Sequence, residues 1–164
     1  MYRVVILSFV FAVALADVDK KQCRHVFHPH AMHCCKKGPP EEKLIMPDDM
    51  SECLQTSRDP ITCERDLCIA KKKGFATDDG KLDKTKLVDV VTKDLGSDAS
   101  LLEDVKANCI NGDIENYAPP EFCDFMKMRH CISVQMLNHC PEWEDSSDCK
   151  EIKGVVQDCV KLFS

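Results

Sequence analysis

Beyond position 16 the chain has no apolar run long enough to span a bilayer, which requires about 20 residues, so nothing in its body reads as a membrane span. Nor does any stretch alternate β-branched with polar residues, which argues against a sheet-based fold. No internal repeat and no low-complexity linker breaks the chain into modules. Basic excess is missing too. With Lys and Arg at 22 against 28 Asp and Glu, an acidic surface repels phosphate, and neither nucleic acid nor an anionic membrane is an expected partner. Catalytic signatures are equally scarce, with no nucleophile elbow and no free Cys–His arrangement. Cys34-Cys35 is followed by Lys36-Lys37-Gly38, without the His-Asp pair and upstream calcium loop of secreted phospholipases. No catalytic residue and no cofactor is expected.

What is present starts at the first residues. Arg3 precedes an apolar stretch from Val4 to Ala16, broken only by Ser8 and ending on Ala14-Leu15-Ala16 before Asp17. This pattern predicts a signal peptide over 1–16 and cleavage after Ala16. The remaining residues, 17–164, suit one domain, and losing Arg3 leaves 21 basic against 28 acidic side chains, a formal charge of −7. All twelve cysteines lie in this part: Cys23, Cys34, Cys35, Cys53, Cys63, Cys68, Cys109, Cys123, Cys131, Cys140, Cys149 and Cys159. An even number in an exported chain implies a framework of up to six disulfides, whose connectivity spacing alone does not determine.

Helix signals recur along the chain. Asp59-Pro60 opens a segment closed by Lys71-Lys72-Lys73 and Gly74, with proline and cations placed as helix ends prefer. After Asp83, Leu87, Val88, Val91 and Leu95 share a face before Gly96; after Asp98, Leu101, Leu102, Val105 and Cys109 do so before Gly112. Pro119-Pro120 is read as the start of a longer helix carrying Phe122, Phe125, Met126, Cys131, Met136 and Leu137. Ser146-Ser147-Asp148 opens the last, with Ile152, Val155, Val156, Cys159, Val160 and Phe163. Asp79-Gly80 reads as a turn between helices, and residues 41–57 as a further helix interrupted near Pro47. The expected fold is all-α: a single disulfide-stapled domain of six to eight irregularly packed helices around an apolar cavity.

One histidine cluster, His25-x-x-His28-x-His30-x-x-His33, runs into Cys34-Cys35. Imidazole and thiolate suit zinc or copper, but cysteines oxidised to disulfides supply no thiolate. The expectation is a solvated arm tied down by its cysteines, with no metal.

Cys35, Cys63, Cys68, Cys109, Cys131 and Cys140 are separated by 27, 4, 40, 21 and 8 residues, and Cys140-Pro141 is followed by Cys149 and Cys159. With the segment Cys63-Glu64-Arg65-Asp66-Leu67-Cys68 leading to Asp79-Gly80-Lys81-Leu82-Asp83, this ladder resembles the insect odorant-binding proteins, and among them the cysteine-rich Plus-C group. The chain departs from the usual pattern in having four residues rather than three between Cys63 and Cys68, a rotation of about 100° on an ideal helix. The resemblance implies bridges Cys35–Cys68, Cys63–Cys131 and Cys109–Cys140, with Cys34 as an alternative to Cys35. The remaining cysteines, Cys23, Cys53, Cys123, Cys149, Cys159 and one of the vicinal pair, would form three further bridges of open pairing.

The function that the resemblance implies is non-enzymatic carriage of small hydrophobic molecules, such as odorants or pheromones, in an extracellular fluid such as sensillar lymph. Other expected partners are an odorant receptor or a second binding protein, for a monomer or homodimer without membrane insertion. Candidate cavity walls are Phe75, Leu87, Val91, Leu95, Leu102, Val105, Phe122, Phe125, Met126 and Met136, each of which an amphipathic helix would also bury as ordinary core. Tyr117 is a candidate polar contact or else an exposed ring. His130 and His139 suggest pH-dependent release through protonation near pH 6, against the plainer reading of two exposed imidazoles. The competing function is a secreted interaction protein whose helices pack solid.

Overall fold

A computed structural model describes residues 23–37 and 50–163. The expected signal peptide and the part of the 41–57 helix that precedes Met50 lie outside those residues.

Seven α-helices are present among the described residues, and no strand: α1 (Pro29–His33), α2 (Ser51–Leu54), α3 (Glu64–Lys73), α4 (Lys84–Leu95), α5 (Ala99–Asp104), α6 (Asp124–Asn138) and α7 (Ser147–Phe163). Short 3-10 turns at Arg24–Phe27 and Glu115–Tyr117 join them. The all-α, disulfide-stapled class is thus the observed one.

Local chemistry accounts for most boundaries. Asp83 and Asp98 cap α4 and α5, their carboxylates accepting from Lys86 N–H and Leu101 N–H at 3.0 Å each. Ser146 Oγ accepts from Cys149 N–H at the start of α7. Gly74 ends α3 with φ +82°, a left-handed turn that suits a residue without Cβ. Asp79-Gly80 does make the turn between α3 and α4, with Gly80 at φ +78°. It carries a one-pair antiparallel bridge between Ala76 and Leu82, and Phe75 C=O accepts from Asp83 N–H at 2.9 Å.

Two starts differ from the proline-based expectation. Pro60 and Pro119-Pro120 lie in turns, and the helices begin later, at Glu64 and Asp124. Each true start follows a cysteine, Cys63 and Cys123, and these are bonded to each other. Cys123 N–H also donates to Pro60 C=O at 3.1 Å, which pins both turns together. The helix expected through Cys109 changes character as well: past Asp104 the chain widens into a π-helical turn over Val105–Ile110. At its end a Cβ on Gly112 would collide with the Asn108 carbonyl, so the residue has to be glycine for the chain to turn there.

The α6 helix is the centre of the molecule. Phe125 to Met128 and Cys131 to Leu137 are all buried, so it is covered on nearly every side, as a helix without a continuous polar face must be. Packed around it are α7, α5 with its π turn, α3 and the segment 24–33. Leu95, Leu101, Val105, Met136 and Leu137 fill the interior at 2% exposure or less.

All twelve cysteines are paired, in two sets of different topology. Cys53–Cys68, Cys63–Cys123 and Cys109–Cys131 interlock: of these six cysteines the first joins the third, the second the fifth and the fourth the sixth. Cys23–Cys159, Cys34–Cys149 and Cys35–Cys140 are nested, one inside another, and enclose the interlocked set.

These pairs replace all three of the bridges that the resemblance implied. Cys35 does not meet Cys68, because the chain at 34–36 is held beside 142–144. Lys36 N–H donates to Glu142 C=O and Glu144 N–H to Cys34 C=O, both at 2.8 Å. Cys63 meets Cys123 rather than Cys131, which lies eight residues, or about 12 Å, further along α6. Cys131 instead faces the π turn and takes Cys109, leaving Cys140, beyond the end of α6, for Cys35. The interlocked order of pairing is the one expected, carried by a different six cysteines.

Candidate functional site

A half-open apolar pocket of about 60 Å³ lies between α3, α4 and α6. Its positions follow from helix periodicity. Phe125, Met128 and Ile132 recur at three- and four-residue spacing along α6, and Leu87, Val90 and Val91 lie on one face of α4. Ile69 of α3 and Phe75, set by the Asp79-Gly80 turn, complete the apolar wall; the Phe75 and Phe125 ring centroids are 6.4 Å apart. Its polar lining is a single pair, Asp66 and Arg129, with Nη1 3.3 Å from Oδ1. Arg129 Nη2 also contacts Met126 Sδ at 2.6 Å.

Of the ten candidate wall residues, Phe75, Leu87, Val91 and Phe125 line this pocket. The other six do not. Leu95, Val105 and Met136 are packed in the solid interior, Met126 is buried behind Arg129, and Leu102 and Phe122 are half-buried elsewhere. Leu95 shares a face with Leu87 and Val91 but sits one turn beyond the last α4 residue of the lining. Ile69, Val90, Met128 and Ile132 line the pocket without having been singled out. Val90 and Met128 were accessible to the same three-and-four spacing, whereas Ile69 and the Asp66–Arg129 pair depend on how α3 docks on α6, which periodicity does not encode.

Tyr117 is neither a pocket contact nor an exposed ring. It is 1% exposed in the core, its ring centroid 4.5 Å from that of Phe163, and burial raises its phenol above the ordinary value, a bond to Gln135 only partly opposing the shift. His130 stacks on Phe27, centroids 4.1 Å apart and planes 3° from parallel, with Nδ1 3.1 Å from Tyr117 C=O. Burial, reinforced by the Arg129 charge, lowers its pKa from 6.5 to about 4. His130 therefore stays neutral from pH 7.5 to 5, contrary to the release role considered for it. His139 is not a bare surface imidazole, since Nε2 is 2.6 Å from Asp104 Oδ2 at the junction of α5 and the π turn.

In the histidine-rich segment, His30 approaches Cys34 and Cys149, the three donor atoms lying within 4.8 Å of one another. The two sulfurs are bonded to each other, so they are not thiolate donors. A second depression, lined by Lys81, Lys84, Asp113, Glu115 and Asp124 with Leu82 and Ile114, is an open groove of mixed charge and not a site for an apolar ligand. At its edge the buried Lys127 pairs with Glu115 at 2.7 Å.

Fold and site together define a class: an all-α domain, closed by six disulfides, with a small apolar pocket among the described residues whose lining includes an ion pair. No helix among the described residues is long and apolar enough to cross a membrane. Neither a protein-family model, nor a curated protein, nor a solved structure matches this chain.

Proposed function

We propose that the chain is a secreted, non-enzymatic carrier of small hydrophobic molecules, of the odorant-binding kind and the Plus-C group, acting in an extracellular fluid such as sensillar lymph. The observation that carries this reading is the pocket between α3, α4 and α6, apolar on every side except at the Asp66–Arg129 pair. Concave apolar surface with one polar fixture is what small-molecule sites are made of. Cys53–Cys68, Cys63–Cys123 and Cys109–Cys131 repeat the first-to-third, second-to-fifth, fourth-to-sixth order of the implied bridges on a different six cysteines, and six bridges suit an oxidising compartment.

The volume sets the ligand's size. The pocket measures about 60 Å³. Ligand sites for larger molecules commonly measure about 300–1,000 Å³, so the cargo is a short chain or a small ring. Binding is driven by removing apolar surface from water, at about 25 cal/mol per Å². Cyclopentane at millimolar concentration should raise the midpoint of thermal unfolding in the oxidised protein, since a ligand bound only by the folded state stabilises it. A midpoint moved neither by cyclopentane nor by 1-pentanol would refute the carrier.

The same small volume favours a second reading, a secreted interaction protein with a nearly solid core. Ile61 and Leu54, 59% and 43% exposed, are the apolar side chains it would offer a receptor or another binding protein. Failure of both cyclopentane and 1-pentanol to bind, with the disulfides intact, would leave this reading in its place.

A further inference from the structure

A single ion pair, Asp66–Arg129, lines the apolar pocket. Asp66 comes from α3 and Arg129 from α6, so two of the helices that wall the pocket each contribute one charge, and the pair's net charge is zero. Asp66 keeps only 11% of its side chain exposed and Arg129 34%, so both face the pocket with much of their hydration removed. In that setting a charge left without a partner is costly. A carboxylate ligand would approach Arg129 only by crowding Asp66, and an alkylammonium would meet the reverse conflict at Arg129. A neutral hydroxyl meets neither: its O–H can donate to an Asp66 oxygen while its oxygen accepts from the Arg129 guanidinium, and the pair stays together.

We infer that the Asp66–Arg129 pair selects neutral ligands with one group able both to donate and to accept a hydrogen bond, and rejects ionised molecules of the same length. The inference rests on the carrier reading and adds head-group selection to it. Specificity of this kind works through the penalty imposed on the wrong ligand as much as through attraction for the right one.

The test uses the oxidised full-length protein at pH 7 and four probes with five-carbon skeletons: 1-pentanol, pentanoate, pentylammonium and cyclopentane. Titration is followed by NMR of the Val91 and Ile132 methyl groups. In the wild type, 1-pentanol should bind at least tenfold more tightly than either ion. Asp66→Asn, which leaves a net positive charge in the lining, should bring pentanoate ahead of pentylammonium by about tenfold, and Arg129→Gln should produce the opposite order. If 1-pentanol, pentanoate and pentylammonium bind equally to the wild type while cyclopentane also binds, the head-group selection is refuted and the carrier stands. If none of the four moves these methyls, both are refuted. The wild-type comparison decides the matter even where a variant does not fold.

Discussion

Acidification should weaken the fold through His130, and the amount can be worked out from its surroundings. The imidazole is sandwiched against Phe27 and faces the Tyr117 carbonyl. Burial, with Arg129 nearby, lowers its pKa from 6.5 to about 4 in the folded protein. Between these two values the unfolded chain binds a proton that the folded one refuses, so the unfolded state gains as pH falls. The sign is therefore a stability fully present above pH 6.5 and progressively lost down to pH 4. At about 1.4 kcal/mol per tenfold change in proton affinity, the full loss is about 3 kcal/mol, of which about 2 kcal/mol is gone by pH 5. His130→Phe keeps a flat ring for Phe27 and removes the titrating proton. Guanidinium unfolding without reductant, at pH 7.5 and pH 5, should show the wild type losing about 2 kcal/mol more than the variant over that interval. Other carboxylates and histidines titrate in both proteins and cancel in the difference. Parallel pH profiles, agreeing within about 0.5 kcal/mol, would refute the buried neutral imidazole and reopen His130 as a release switch.

Mass mapping of a non-reducing digest should recover Cys35 linked to Cys140 and Cys63 linked to Cys123, and a Cys35–Cys68 peptide would contradict the structure. Leu101→Ala, at a position with no exposure, should lower unfolding free energy by about 2–5 kcal/mol, and a loss below about 1 kcal/mol would mean that α5 does not pack as described. Asp98→Ala removes the side chain that caps α5 and should cost about 1 kcal/mol in the same denaturation assay, while Asp98→Asn should retain most of it.

Much of this architecture could be read from single residues. Asp83, Asp98 and Gly74 mark helix ends because capping is local: the group that satisfies the orphan N–H or C=O lies within four residues of it. Pro60 and Pro119-Pro120 misled because proline suits a turn as well as a first helical position, and the choice is made by the Cys63–Cys123 link between distant segments. The π turn at Val105–Ile110 has no simple residue code, and the signal closest to it is Gly112. Bridge pairing was the least legible feature. Spacing says how far apart two cysteines are along the chain, but which of them meet depends on where α6 begins and on the contact between 34–36 and 142–144. For the pocket, periodicity found the face of α4 that includes Leu87 and Val91. It could not say that Leu95 lies past the lining or that Asp66 and Arg129 converge there.

The claim on which the functional account depends is that the space between α3, α4 and α6 takes up a small apolar molecule. Intermolecular nuclear Overhauser effects measured on the oxidised protein with cyclopentane test it most directly. The account predicts cross-peaks from the ligand to Leu87, Val91 and Ile132, which line the pocket, and their disappearance in Ile132→Trp, where an indole fills the space. Cross-peaks confined to the exposed Leu54 and Ile61, or none at all, would contradict it.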